Sequence, residues 1–102
     1  MTTSLGFKYL IRYETVTGCF FNNKEQVHEL LLCAAEDEEV SIENINIGSN
    51  FIEFCLTNKR LPSFVYARAK SIRRAISPVL KFSNLCKGTS ASLKKEITIK
   101  RI

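Results

Sequence analysis

VSIENINIGSNFIEFCL, residues 40–56, decides the fold class of this chain, because it holds two runs of β-forming residues joined by a turn. Residues 40–47 and 50–56 are rich in isoleucine and phenylalanine, which favour strands. Gly48 and Ser49 separate the two runs, and so short a glycine-containing connection is typical of a β-hairpin. The stretch therefore predicts two neighbouring antiparallel strands.

The alternation of the first run changes parity halfway along. In an ideal strand Val40 and Ile42 point to one face, whereas Ile45 and Ile47 point to the other. An extra residue between the two pairs would bring all four to the same face. We therefore expect a β-bulge or a strong twist near Asn44.

On the N-terminal side of the hairpin, the sequence predicts a strand followed by a helix. Residues 7–14 alternate between apolar and mostly polar side chains, which indicates a strand with one apolar face. The core face of this strand carries Phe7, Tyr9, Ile11 and Tyr13. Apolar residues at helical spacing then predict a helix from about Lys24 to Glu36, with Asn23 as its N-cap and Gln26 at the capping-box position.

On the C-terminal side, a second helix and a last strand are expected. Pro62 and Ser63 open the helix, and Pro78 is expected to end or kink it near Ile76. The apolar side of this helix holds Val65, Ala69, Ile72, Ile76, Val79 and Leu80. Residues 93–102 read as the last strand.

The predicted order of elements is β-α-β-β-α-β. This order matches the ferredoxin-like split βαβ arrangement, an α+β fold in which a four-stranded antiparallel sheet carries both helices on one face. A chain of 102 residues is long enough for one hydrophobic core, so we expect residues 1–102 to form a single domain.

The composition is that of an ordinary globular protein, with 45% hydrophobic and 25% charged residues. No apolar run approaches the roughly 20 residues of a membrane span, and the first ten residues do not resemble a secretory signal. We therefore expect a cytoplasmic protein with no membrane partner. The net charge of +5 favours polyanionic partners.

The four cysteines are far apart, and His28 is the only histidine. No Cys-x-x-C pair or other metal-ligand spacing is present, so neither a metal nor another cofactor is expected. We interpret Cys19, Cys33, Cys55 and Cys86 as reduced structural residues.

Three segments between about Phe7 and Leu80 resemble the small insertion-sequence transposases of the HUH superfamily, the single-tyrosine, REP-associated type. Residues 13–21, YETVTGCFF, look like the turn that follows the first strand in that family. Residues 48–55, GSNFIEFC, are similar to the strand that carries its metal-binding histidines. Residues 70–74, KSIRR, resemble its basic helix pattern.

This chain lacks the catalytic groups of the family that it resembles. Phe51 and Glu53 occupy the positions of the two histidines that hold the divalent metal in the family. A phenylalanine cannot ligate a metal, and one carboxylate without imidazole partners makes a poor site. No tyrosine follows Tyr66, although the family's nucleophilic tyrosine lies after this domain. The resemblance therefore implies a degenerate relative for which enzymatic activity has little support.

The function expected to remain is the DNA binding of the family, without its catalysis. The family members are dimers that recognise DNA hairpins, so the resemblance implies a homodimer that binds single-stranded or hairpin DNA, with RNA also open. The candidate phosphate contacts are Lys59, Arg60, Lys70, Arg73, Arg74 and Lys81. These cations are equally compatible with the solvated side of an amphipathic helix.

Two other functions stay open at this point. One is a homo-oligomeric interaction module whose open sheet face, carrying Phe51, Glu53 and Cys55, is covered by another protein and which has no nucleic-acid role. The other is a metal-dependent nuclease that uses carboxylates such as Glu14 and Glu53.

Overall fold

A computed structural model describes residues 7–17, 19–58, 62–82, 86–87 and 93–102. The helices and strands in chain order are β1 (Phe7–Thr15), β2 (Phe20–Phe21), α1 (Lys24–Asp37), β3 (Ser41–Ile47), β4 (Phe51–Asn58), α2 (Pro62–Phe82), β5 (Cys86–Lys87) and β6 (Leu93–Arg101). The predicted βαββαβ order is confirmed, with a two-residue ribbon of β2 and β5 added to it.

The main sheet has the strand order β3-β4-β1-β6, and all its pairs are antiparallel. On one face, Ile11 lies opposite Phe54 and Tyr13 opposite Ile52, and all four side chains are fully buried. They share a hydrophobic cluster with residues of both helices, so α1 and α2 cover the same face. The structure therefore has the predicted ferredoxin-like α+β fold.

Tyr13 joins the sheet to α2. Its ring packs against Phe54 with 5.6 Å between the centroids, and its hydroxyl donates a hydrogen bond of 2.6 Å to the carbonyl oxygen of Ala69. Burial raises the pKa of the Tyr13 hydroxyl far above its usual value, and the nearby Arg73 guanidinium offsets only part of this effect. The raised pKa keeps the hydroxyl protonated at neutral pH, where it donates to Ala69.

The β3–β4 hairpin contains the predicted irregularity. The register shifts between Glu43 and Asn46, and Asn44 has a positive φ of 53°. Asparagine tolerates this left-handed conformation better than most residues, and the bulge confirms the prediction made from the change of parity. At the turn, a Cβ on Gly48 would overlap the Phe51 ring, so the absence of a side chain allows the tight approach.

The two helices differ in how well the sequence predicted their ends. The side chain of Asn23 accepts a hydrogen bond of 3.2 Å from the backbone of Gln26, which confirms the N-cap of α1. The predicted end of the second helix near Ile76 is wrong, because α2 continues through Pro78 to Phe82. Pro78 is exposed, so the backbone carbonyl that it leaves without a helical partner faces the solvent side of the helix.

Two cysteines differ from their predicted state. Cys19 is buried and forms a disulfide, so it is not the reduced residue expected from the sequence. Cys33 is a free thiol, as expected, but it lies exposed on α1 and so is not a structural core residue. Cys55 is free, as predicted, and is buried.

No helix in the described part of the chain is long and apolar enough to cross a membrane.

Tyr13→Phe tests the junction between the sheet and α2, since it removes the hydroxyl and keeps the ring. We expect the free energy of unfolding at pH 7 to fall by about 1 kcal/mol, because the bond to Ala69 is lost. The folded-state pKa of Tyr13 lies above the unfolded value of about 10, so the unfolded chain releases a proton that the folded chain keeps. The free energy of unfolding of the parent chain therefore falls as pH rises above about 10. The free energy of unfolding of Tyr13→Phe should fall by less over the same pH range.

Urea denaturation at pH 7 and at about pH 10.5 measures both effects. Tyr66→Phe, at an exposed position of α2, is the matched control and should leave stability at pH 7 unchanged. An alkaline decline as steep in Tyr13→Phe as in the parent chain would contradict the role assigned to Tyr13.

Candidate nucleic-acid interface

A row of cations runs along one side of α2. Lys70, Arg74 and Lys81 lie four and seven residues apart, which places them within about 40° of one another around the helix axis. Arg74 and Lys81 are exposed, and Lys70 is partly exposed. The structure thus brings three of the six predicted contact residues into one line.

The other side of α2 faces α1. Arg68 donates a hydrogen bond of 3.2 Å to the Glu38 carboxylate at the end of α1. Arg68 and Lys70 are two residues apart and so point to nearly opposite sides of the helix. Because α2 also packs against the edge strand β6, the Lys70 side is turned towards that edge.

Arg101 of β6 is a further cation on the helix-covered side of the sheet. It lies opposite Tyr9, whose side chain is buried between the sheet and the helices, so Arg101 has the helix-facing parity of its strand. We use the name α2–β6 basic surface for Lys70, Arg73, Arg74, Lys81 and Arg101. Arg101 was not predicted as a site residue. The alternation of residues along the last strand could have indicated that it lies on the same face of the sheet as the helices.

The cations of α2 in this surface have no carboxylate partners. All ten acidic residues lie in the described part of the chain, yet the ion pairs found there involve Lys8, Arg12, Arg68 and Lys94 instead. The cluster of residues 36–39 lies on the α1 side of the molecule. Positive charge is therefore left uncompensated on α2, where it can attract a polyanion.

Arg73 lies at the inner boundary of the surface. It is partly buried, and its Nε atom is buried without a hydrogen bond to any described residue. Ser77, one turn further along α2, has a hydroxyl that is also buried without a hydrogen bond to any described residue. Each side chain therefore has a buried donor without a partner among the described residues.

The remaining two predicted contacts, Lys59 and Arg60, lie outside the described residues. The structure therefore places Lys70, Arg73, Arg74 and Lys81 on one side of α2, and the assignment of all six as contacts remains a prediction.

The open face of the sheet, away from both helices, is organised around Arg12. Its Nε atom lies 3.2 Å from Glu14, and its Nη1 atom lies 3.3 Å from Glu53, the residue opposite it on β4. Its guanidinium carbon lies 4.2 Å from the centre of the Phe51 ring. Lys94 approaches Glu14 from β6 at 3.7 Å. Phe51 and Glu53, which the sequence resemblance placed at the histidine positions, therefore both contact Arg12.

This network bears on the two alternative functions. Glu14 and Glu53, the carboxylates considered for a nuclease, are both ion-paired to Arg12, and no group of three or more potential metal ligands occurs among the described residues. Cys55 is already buried within the described chain, and Phe51 is partly covered. The open face is thus a charged surface rather than an apolar one.

Two cavities lie away from the basic surface. One, of about 240 Å³, is bordered by Arg12, Glu14 and Lys94 and by the residues after β1. The other, of about 430 Å³, lies between the start of α1 and Ile47 and contains the partly buried His28.

No family model matches this chain, and no curated protein is similar to it at a significant level. Among solved structures, the fold is similar to a crystal structure described as a "putative transposase" from Deinococcus radiodurans R1. The two superpose with a TM-score of 0.65 and 10% sequence identity, over 100% of this chain and 83% of that chain. This chain therefore has a transposase-like α+β fold.

A double-mutant cycle with Arg12→Met and Glu53→Gln tests the network on the open face. Both side chains are partly buried, so we expect a coupling free energy of about 0.5–1 kcal/mol from urea denaturation. The same cycle on the more exposed pair Lys8 and Glu43, with Lys8→Met and Glu43→Gln, is the matched control and should give less. Equal coupling in the two cycles would show that Arg12 is not the centre of the open face.

Proposed function

We propose that this chain is a non-catalytic nucleic-acid-binding protein that binds single-stranded or hairpin DNA through the α2–β6 basic surface, with RNA as a second possible ligand of that surface. The observation that carries the proposal is the row of Lys70, Arg74 and Lys81, exposed to differing degrees and without carboxylate partners. Cations that are not neutralised within the protein keep their full attraction for phosphates.

The α2 residues extend over a length suited to a nucleic-acid strand. From Lys70 to Lys81 the helix rises about 16 Å, which several nucleotides of an extended strand can span. Lys59 and Arg60, which precede α2 in the sequence, would extend the site at the start of the helix. Phosphate contacts of this kind fix the position of a strand and do not read its sequence.

The proposal that this protein does not cleave DNA strands rests on the residues of the open sheet face. In the HUH resemblance, catalysis needs two histidines and a metal there, and this chain has Phe51 and Glu53 packed around Arg12. A cation in contact with Glu53 opposes the binding of a divalent metal by that carboxylate. The HUH assignment itself is part of the proposal, and the transposase-like fold supports it only at the level of architecture.

A homodimer belongs to the same proposal, whereas the cytoplasmic location expected from the sequence is not proposed. The edge strands β3 and β6 each pair on one side only within the described chain, which leaves backbone groups available for a second copy. Light scattering should give twice the 11.6 kDa of one chain, and a mass of one chain at micromolar concentration would contradict the dimer. The disulfide at Cys19 argues against a reducing compartment.

The binding proposal is tested by titrating the protein with a DNA hairpin, a single strand, a duplex and an RNA of equal length, over a series of salt concentrations. For the single strand, replacing Lys70, Arg74 and Lys81 by glutamine should weaken binding by about tenfold or more at low salt. The slope of log K against log salt should fall by about 2, because each lost phosphate contact removes about 0.7 from it.

The matched control removes three other cations, Lys8, Lys24 and Lys100, so that the net charge falls by the same amount. These residues are exposed, and none is on the α2–β6 basic surface: Lys8 and Lys100 have the open-face parity of their strands, and Lys24 begins α1. If both triple variants lose affinity equally, only net charge matters and the surface is not the binding site. If the unmodified protein binds none of the four ligands, the proposed function is wrong.

A further inference from the structure

Tyr66 is placed differently from the other two tyrosines. Tyr9 and Tyr13 are buried in the core, whereas 49% of Tyr66 is exposed on α2. Tyr66, Lys70 and Arg74 follow one another at intervals of four residues, so the ring lies in line with the cations of the α2–β6 basic surface. An exposed aromatic ring thus lies beside uncompensated positive charge.

The ring also contacts the first cation of that row. The Nζ atom of Lys70 lies 5.9 Å from the centre of the Tyr66 ring, within the range of a cation–π interaction. A strand whose phosphate contacts Lys70 would therefore carry its neighbouring base close to the ring. Aromatic rings beside a cationic groove are the arrangement by which proteins hold unpaired bases.

We propose that Tyr66 stacks on an unpaired nucleobase while Lys70 and Arg74 contact the phosphates next to it. This inference rests on the proposed function and narrows it, because a base can reach the ring only if it is not stacked within a duplex. The ligand class is therefore a single strand or the unpaired loop of a hairpin, and a fully paired duplex binds through the cations alone.

Tyr66→Trp provides a direct reporter, since the chain contains no other tryptophan. A single strand of thymidines should quench the emission of this variant on binding. A strand of equal length in which the bases are replaced by abasic sites carries the same phosphates and should quench it much less. Duplex DNA should also cause little quenching.

Affinity measurements separate stacking from charge. Tyr66→Leu should weaken binding of the thymidine strand by roughly tenfold and leave binding of the abasic strand unchanged. Tyr66→Phe keeps the ring and should bind as the unmodified protein does. Phe64→Leu, which removes another exposed aromatic ring from a different side of α2, is the matched control and should have no effect.

Failure of this inference can be told apart from failure of the proposed function. If the protein binds thymidine and abasic strands equally, and Tyr66→Leu binds both as well as the parent does, stacking is excluded while binding through the cations stands. If the unmodified protein binds neither strand, the proposed function fails and the inference with it. Thermal unfolding of each variant verifies that the substitutions leave the fold intact.

Discussion

The hydrogen bond from the buried Tyr13 hydroxyl to Ala69 fixes how α2 is rotated on the sheet. Apolar packing alone is not directional, but a bond of 2.6 Å from a fully buried donor holds one particular turn of the helix above β1. With that turn against the core, Ile72 and Ile76 are buried on the same side. Lys70 and Arg74 are then directed away from the core, so the position of the basic surface follows from this contact.

The molecule uses its cations in two ways. Arg12 is paired with carboxylates on the open face, and Arg68 is paired with the end of α1, so these charges are largely neutralised where they lie. Among the described residues, the cations of α2 that face the β6 edge have no such partners. Unpaired positive charge therefore lies on the β6-facing side of α2, whereas the acidic residues 36–39 lie on the α1 side. An uneven distribution of this kind orients a polyanion more effectively than the same charge spread evenly.

Local patterns predicted most of the fold. The alternation of β1, the N-cap at Asn23 and the bulge at Asn44 depend on the geometry of a few consecutive residues, and the structure confirms them. The end of α2 was wrong because Pro78 lies on the solvent side, where the cost of its missing bond is small, and Leu80 is buried and holds the last turn against the core. The β2–β5 ribbon is too short to leave a periodic signal.

The sequence by itself determined the order of the elements and the spacing of the cations along α2, because helical and strand periodicity follow from backbone geometry. Only the tertiary structure decided which cations are neutralised. Arg12 and Glu53 are 41 residues apart in the chain, and Arg68 and Glu38 are 30 apart. Their contacts depend on strand register and on the rotation of α2, which rest on core packing and on contacts between distant residues such as Tyr13 and Ala69, not on any short stretch of residues.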